Sequence, residues 1–458
     1  MYHKARKTGT KLFATAPMID WSDRHYRYFA RQLTKNAVLY TEMIVADAIL
    51  RGNRDRLLGY DAVEHPLALQ LGGSDPAKLA AAARIGAEFG YDEINLNVGC
   101  PSDRVQSGTF GACLMREPQL VADCVAAMKA AVTIPVTVKC RIGVDDQDPN
   151  VALRDLVARI RAAGVDAVWV HARKAWLQGL SPKENRDIPP LDYGLVRRLK
   201  AENPDLFVGL NGGLHTLDQA LAAIGRPGAG EDRGEAPDGG RNAVSAEAPG
   251  AAPGGELDGA MLGRAAYQDS GVLAGVDTLF SRPDIRTLDA ATPPQWERSI
   301  AAGAGGTLPH RPAGEEGWSA HGDAAGANTA DAAPLIRSAA PPSPRGGEAG
   351  VAARVADPAV SAGARPDRAH SAAAHPDAAF WAGVRDAMTG YAEQVMAGGG
   401  RLNHVTRHMV GLFQGFPGAR RYRQILSADA TRPGAGPEVI EAAFAAVLEP
   451  AAARQAAE

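Results

Sequence analysis

The sequence predicts an α/β chain, a (β/α)8 TIM barrel followed by a small all-helical C-terminal unit. Eight short apolar runs alternate with helical patterns between Leu12 and Leu262, the signature of repeated βα units around a parallel sheet. Polar residues recur at or just beyond the ends of those runs, where barrel enzymes keep their chemistry. From Phe380 onward the apolar spacing is helical.

The candidate strands are 12–16, 39–42, 67–71, 93–97, 136–141, 167–171, 206–211 and 259–262. Helical stretches lie between them, such as 119–131 and 75–89, the latter opened by the Asp75-Pro76 start signal. A closed barrel is the economical way to join these units. In the C-terminal part, helical apolar spacing covers 380–396, 404–413 and 439–448.

Two stretches depart from their surroundings. Residues 225–255 are mostly Gly, Pro, Ala and small polar residues, with Glu231, Asp232, Glu235, Asp238 and Glu247 outnumbering Arg226, Arg233 and Arg241. Residues 293–376 are again Ala/Gly/Pro-rich, with Trp318, Leu335 and Ile336 as scattered large apolar groups. Such compositions bury too little apolar surface to offset ordering entropy, so both read as disordered insertions. The expected organisation is a catalytic barrel over 1–292 interrupted by 225–255, a linker over 293–376, and a helical domain over 377–458. The first insertion falls before the eighth strand, in a surface connection that lengthens at modest entropic cost.

Composition limits the function. No apolar run reaches the roughly 20 residues that span a bilayer, and the basic segment 1–11 has no apolar signal core. A soluble cytoplasmic protein without membrane association is expected. Cys100, Cys113, Cys124 and Cys140 show neither metal-ligand spacing nor the density of a disulfide scaffold, so reduced thiols and no metal are expected. The net charge of -3 excludes a chain that is basic throughout, but it averages over unlike regions and leaves nucleic acid open as a partner.

The strand ends carry the chemistry. Pro17 and Met18 follow the first strand, Gln70 ends the third, and Asn97 and Cys100 follow the fourth. Lys139 and Arg141 end the fifth strand, His171 the sixth and Asn211-Gly212-Gly213 the seventh, while Gly263-Arg264 follows the eighth. Alone, Lys139 or His171 is an ordinary strand-end polar group; agreement among so many ends is not ordinary. Bare backbone amides and one guanidinium at the last two strands suit a phosphate. Gln70 suits the edge of a planar heterocycle, and Lys139 places positive charge beside a ring that gains electrons. Flavin mononucleotide (FMN) satisfies both ends, and a sugar phosphate satisfies the phosphate end.

Gly99 and Pro101 take Cys100 off its strand, and Gly108 and Gly111 allow its loop to move over a substrate. A free thiol has a reference pKa of about 8.5, so near neutral pH it is mostly protonated and can serve as a general acid. Cys113, Cys124 and Cys140 read as small buried hydrophobes. No Gly-x-Gly-x-x-Gly fingerprint follows a strand, which argues against a Rossmann dinucleotide-binding domain.

Two basic regions suit RNA. The loop after the sixth strand carries Arg173, Lys174, Lys183 and Arg186 with Trp176, cations for phosphates and an indole for stacking. The helical unit carries Arg401, Arg407, Arg420, Arg421 and Arg423 with His404 and His408, answered by few acids. Substrate contacts are expected from Asn97, Arg141, Lys183, Arg186, Arg407 and Arg420.

The run Glu93-Ile94-Asn95-Leu96-Asn97-Val98-Gly99-Cys100-Pro101, continued by Ser102, Asp103, Arg104, Val105 and Gly108 to Cys113, resembles the active-site motif of the tRNA-dihydrouridine synthases. The A-type bacterial subfamily is the nearest likeness, over about 13–280 and again over about 380–448. Residues 404–420 look like the family's tRNA-binding helical domain. The resemblance implies FMN contacts from Pro17, Met18, Gln70, Lys139, His171, Asn211, Gly213, Gly263 and Arg264, to which Gly212 is added as the middle of its turn. It implies hydride transfer from reduced FMN to C6 of a uridine, a proton from Cys100 to C5, and NADPH as a transient reductant. It also implies D-loop uridines 20 and 20a of tRNA as the target. A monomer is expected. A barrel flavoenzyme acting on a free pyrimidine, like dihydroorotate dehydrogenase, is the alternative, and the basic helical domain counts against it. A tRNA-binding folding helper without catalysis is a third reading, opposed by intact Cys100, Lys139 and His171.

Overall fold

Side-chain alternation decides how the sheet closes. The computed structural model describes residues 1–102, 110–225, 255–283 and 377–455. The parts of the expected insertions over 226–254 and 293–376, and loop residues 103–109, lie outside them. The parallel strands β1 (Leu12–Thr15), β2 (Leu39–Val45), β3 (Leu67–Gly72), β4 (Glu93–Val98), β5 (Val136–Arg141), β6 (Ala167–His171), β7 (Phe207–Asn211) and β8 (Gly259–Leu262) pair in the order β1-β8-β7-β6-β5-β4-β3-β2. Val38 completes the ring: it accepts from Thr15 N at 3.0 Å and donates to Phe13 O at 2.9 Å, joining β1 to the entry of β2. The expected TIM-type barrel is present.

Successive residues of a strand face opposite sides of the sheet. Phe13, Leu69, Ile94, Leu96, Val138, Val168 and Val208 face outward into the core beneath the helices. Leu12, Ala14, Tyr40, Ala68, Trp169, Phe207 and Met261 face inward and form a separate cluster in the lumen. Gly209 makes room for Trp169, because a Cβ there would lie 2.1 Å from the indole. The helix Tyr2–Thr8, not anticipated from the basic N-terminal segment, packs Tyr2 into the same lumen cluster, edge-on to Phe207 at 4.7 Å.

The outer helices begin where the sequence signals them. Asp75 accepts from the amides of Ala77 and Lys78 ahead of helix Pro76–Glu88, and Asp148 accepts from Asn150 N ahead of Pro149–Ala162. Ile224, at the C-terminal end of helix Leu217–Ala223, and Leu257, just before β8, flank the first expected insertion and are joined by a Leu257 N to Ile224 O bond of 3.0 Å.

Among the described residues, Ala378–Ala397, Leu402–Thr406, Ala419–Ala428 and Glu438–Gln455 form the helical region. The expected helix over 404–413 is corrected: it ends at Thr406 and gives way to turns. Gly411 lies so close to the barrel that a Cβ would be 2.5 Å from the Gln268 carbonyl, a contact made by backbone rather than by a helix face. Tyr391 joins the region to helix Arg24–Leu33, bonding His25 Nδ1 at 2.9 Å and stacking on Tyr28 at 3.8 Å. No helix among the described residues is long and apolar enough to cross a membrane.

Candidate active site

The same alternation that fills the lumen brings the polar strand ends together. Gln70, Asn97, Lys139, Arg141, His171 and Asn211 all stand at inward-facing positions near the C-terminal ends of β3 to β7. Their hydrogen bonds run from strand to strand, one of them reaching past β6 from β5 to β7. Lys139 Nζ donates to Asn211 Oδ1 at 2.9 Å, and Asn211 Nδ2 donates to Met261 O at 2.8 Å. Gln70 Nε2 donates to Asn95 Oδ1 at 2.8 Å, while its Oε1 accepts from Asn97 Nδ2 at 2.7 Å.

The cysteine loop is braced from two sides. Asn97 Oδ1 accepts from the amides of Gly99 and Cys100, each at 3.0 Å. Arg141, 2% exposed, donates from Nε to Gly99 O at 2.9 Å and from Nη1 to Lys174 O at 3.0 Å and Asn185 O at 2.9 Å. Both residues, expected at the substrate, brace the Cys100 loop, and Arg141 also holds the loop after β6. The Cys100 thiol is half-buried, 3.4 Å from Ser102 Oγ. Cys124 and Cys140 are buried, and burial pushes each thiol up to about 12, as expected of structural cysteines. Cys113 differs from that expectation in being half-buried, with its Sγ donating to Phe110 O at 3.0 Å.

Charge at the mouth is concentrated and desolvated. Burial, then the neighbouring Arg141, pushes the Lys139 ammonium down to about 8. Burial, then Arg141, Lys139, Arg173 and Arg186, holds His171 well below the usual imidazole range, so its ring is neutral at neutral pH. Lys139, Arg141 and Arg186 all lie within electrostatic reach of Cys100.

The glycine turn after β7 is a cradle that side chains would fill. Gly212 and Gly213 have φ of 107° and 71°; a Cβ on the first would lie 2.5 Å from His171 Cδ2 and on the second 2.4 Å from Leu191 Cδ1. Gly263 follows β8 beside Ala16 and Met18. Among the described residues none accepts a hydrogen bond from the amides of Gly212, Gly213, Gly263 or Arg264. Four open donors beside a glycine cradle fit a phosphate, and the Gln70 and Lys139 end fits the edge of a flavin ring. Arg264 itself is not free: it forms a two-pronged pair with Asp187 at 2.6 and 3.2 Å, a partner the sequence did not reveal. Pro17 and Met18 are half-buried at the end of β1, with Met18 N donating to Ser22 Oγ at 2.8 Å.

The basic residues divide into braced and open ones. Asn185, overlooked in the sequence, pins the loop after β6 by accepting from Trp176 N at 2.7 Å and donating to Trp176 O at 2.8 Å and Leu180 O at 3.0 Å. Lys183 is exposed, Arg186 donates to Pro182 O at 2.8 Å, and Trp176 is 42% exposed with Lys174 Nζ 5.3 Å from its ring centroid. In the helical region Arg407 pairs with Asp23, the cap of helix Arg24–Leu33, and donates to His408 Nε2 at 3.0 Å. Arg420, Arg421 and Arg423 stand exposed on helix Ala419–Ala428, which the sequence reading did not separate as an element.

Fold and mouth together define a barrel with polar strand ends, a half-buried loop thiol and a glycine turn gathered at one end. A dihydrouridine synthase (Dus) family model matches residues 14–230. The chain is 41% identical over 437 residues to the tRNA-dihydrouridine(20/20a) synthase of Shewanella oneidensis, covering 95% of this chain and 94% of that one. It is 42% identical over 431 residues to that of Xanthomonas axonopodis pv. citri (94% and 92% covered) and 40% identical over 438 residues to that of Escherichia coli K12 (95% and 92%). The chain belongs to the dihydrouridine synthase family and is an oxidoreductase.

Proposed function

We propose that this protein reduces uridines 20 and 20a in the D-loop of tRNA to 5,6-dihydrouridine, with FMN as bound cofactor and NADPH as transient reductant. The observation that carries the reading is the braced Cys100 loop, held by Asn97 and Arg141 over a mouth with a glycine cradle on its other side. The names of the relatives, similar over nearly their whole length, support the tRNA substrate and the two positions.

In this reading the amides of Gly212, Gly213, Gly263 and Arg264 would hold the phosphate of FMN, with Asn211 tied to β8 through Met261 O. Gln70, Lys139, His171, Pro17 and Met18 would hold its ring. When bound and reduced by NADPH, FMN supplies the hydride that reaches C6 of uracil. Cys100 holds the proton delivered to C5 from the opposite face, and its thiolate is then reprotonated from solvent. Lys139 keeps a positive charge beside electron-rich groups in a desolvated site. Lys183, Arg186, Arg407 and Arg420 serve the RNA backbone, with Asn97 and Arg141 acting through the loops they brace. The protein works as a cytoplasmic monomer.

The test is Cys100→Ala. The variant should retain flavin and NADPH oxidation while losing most dihydrouridine formation on unmodified tRNA. Unchanged turnover on tRNA would remove the general-acid assignment.

A further inference from the structure

Beneath the mouth, the inward face of β4 is polar from one end to the other, and polar residues of β3 and β5 adjoin it. Glu93, Asn95 and Asn97 lie two residues apart on β4, so all three side chains face inward. Gln70 and Thr137 flank them on β3 and β5 in the registers Gln70 to Asn95 and Asn95 to Thr137. All five side chains are buried, with Asn97 the most exposed at 8%.

These residues form one chain of hydrogen bonds. Starting at the cysteine loop, the amides of Gly99 and Cys100 donate to Asn97 Oδ1. Asn97 Nδ2 donates to Gln70 Oε1 at 2.7 Å, Gln70 Nε2 to Asn95 Oδ1 at 2.8 Å, and Asn95 Nδ2 to Thr137 Oγ1 at 2.7 Å. The Thr137 hydroxyl donates to Glu93 Oε1. Every donor points toward Glu93.

The two ends fix that sense independently. Backbone amides only donate, so Asn97 must turn its oxygen to them and its nitrogen to Gln70. At the other end an ionised carboxylate only accepts, so Thr137 must donate to it and take the Asn95 amide on its oxygen. Glu93 also accepts from Tyr2 OH at 2.6 Å and Tyr40 OH at 2.7 Å, which fills its oxygens with donors. Burial pushes this carboxyl up to about 7, with the hydroxyls of Thr137, Tyr2 and Tyr40 opposing the rise. Tyr2, from the N-terminal helix, seals this end away from water.

We propose that Glu93 is a positioning residue for the reaction: as the accepting end of this one-way chain, opposite the loop amides, it holds rigid the amides of Gln70 and Asn97 and thereby the backbone that presents Cys100. The proposal rests on the reading of Cys100 and FMN given above. Gln70 uses one N–H and one lone pair within the chain, leaving its second N–H for the flavin edge. Glu93 needs no contact with substrate or cofactor to hold Gln70 rigid.

Thr137→Val removes the link to Glu93 at nearly constant volume, and Thr137→Ser restores the hydroxyl. With a tRNA transcript above the pH at which Glu93 ionises, Thr137→Val should lower kcat for uridine reduction about tenfold, while KM for tRNA and flavin content stay within about twofold. Thr137→Ser should recover most of the loss. A kcat in Thr137→Val within about twofold of the parent, or an equal loss in both variants, would overturn the proposal. Should Thr137→Val fail to accumulate as folded protein, Asn95→Asp asks the same question, since aspartate can still accept from Gln70 but cannot donate to Thr137. A parental kcat in Asn95→Asp would then overturn it. Failure of the flavin reading is distinguishable, because it appears in the parent protein as absence of flavin or of dihydrouridine.

Discussion

The barrel mouth and helix Ala419–Ala428 are both rich in nitrogen donors but use them differently. At the mouth Lys139, Arg141, Asn97 and Asn211 each have a named partner, and cations are desolvated enough to shift their titration. On the helix, Arg420, Arg421 and Arg423 face solvent. In the proposed function the difference follows from the ligands. A reacting ring must be held within fractions of an ångström, which demands side chains fixed by a surrounding shell. A polyanionic backbone is attracted by a field, which free cations supply without fixed geometry.

The largest effects should arise where the mouth loses an atom that takes part in the chemistry. Cys100→Ala is expected to lower dihydrouridine formation about 10²- to 10⁴-fold with NADPH oxidation preserved, as measured by coupled product analysis and absorbance. Next comes the cradle. Gly213→Ala forces a Cβ to within 2.4 Å of Leu191 at a φ of 71°, so flavin content on purification should fall sharply. Strain of about 1–3 kcal/mol should appear as a lower Tm in the same variant. Full flavin occupancy in Gly213→Ala would break the proposed phosphate site.

The contrast in desolvation yields a pH prediction. Lys139 is protonated below about 8 and loses its charge above it, because burial and Arg141 disfavour the ammonium. NADPH oxidation, which does not use the Cys100 proton, should therefore decline as pH rises through that value. A profile flat well beyond it would show that the charge is not used.

Smaller effects belong to the helical region and sharpen the comparison there. Arg420→Ala should weaken tRNA binding several-fold and reduce the slope of log affinity against log salt by about 1, with Tm unchanged. Arg407→Ala should weaken binding and also lower Tm, because Arg407 pairs with Asp23. That carboxyl lies well below its usual range: burial would raise it, but His408, His25 and Arg407 outweigh burial. Deleting 302–373 should leave activity nearly unchanged in the tRNA assay.

Much of the barrel was legible because each strand is a run of buried residues whose alternate positions face the lumen, so Gln70, Lys139, His171 and Asn211 announce themselves at the ends. The braces were not legible. Arg141 reads as a substrate cation because its partners are the carbonyls of Gly99, Lys174 and Asn185, and a carbonyl leaves no mark in sequence. Asp187 likewise gives no sign that it faces Arg264. The helix Tyr2–Thr8 is short and carries cations, so its role in the lumen rests on Tyr2 and Ala5. The turns after Thr406 were misread because Val405, Met409, Leu412 and Phe413 are spaced as on a helix, while close backbone contact at Gly411 is a tertiary effect.

The most direct test is to incubate the purified protein with NADPH and an unmodified tRNA transcript, digest the RNA and map the fragments by mass spectrometry. The account predicts uridines heavier by two hydrogens at positions 20 and 20a. A flavin-bearing preparation that oxidises NADPH yet leaves every uridine of the transcript unchanged would contradict it.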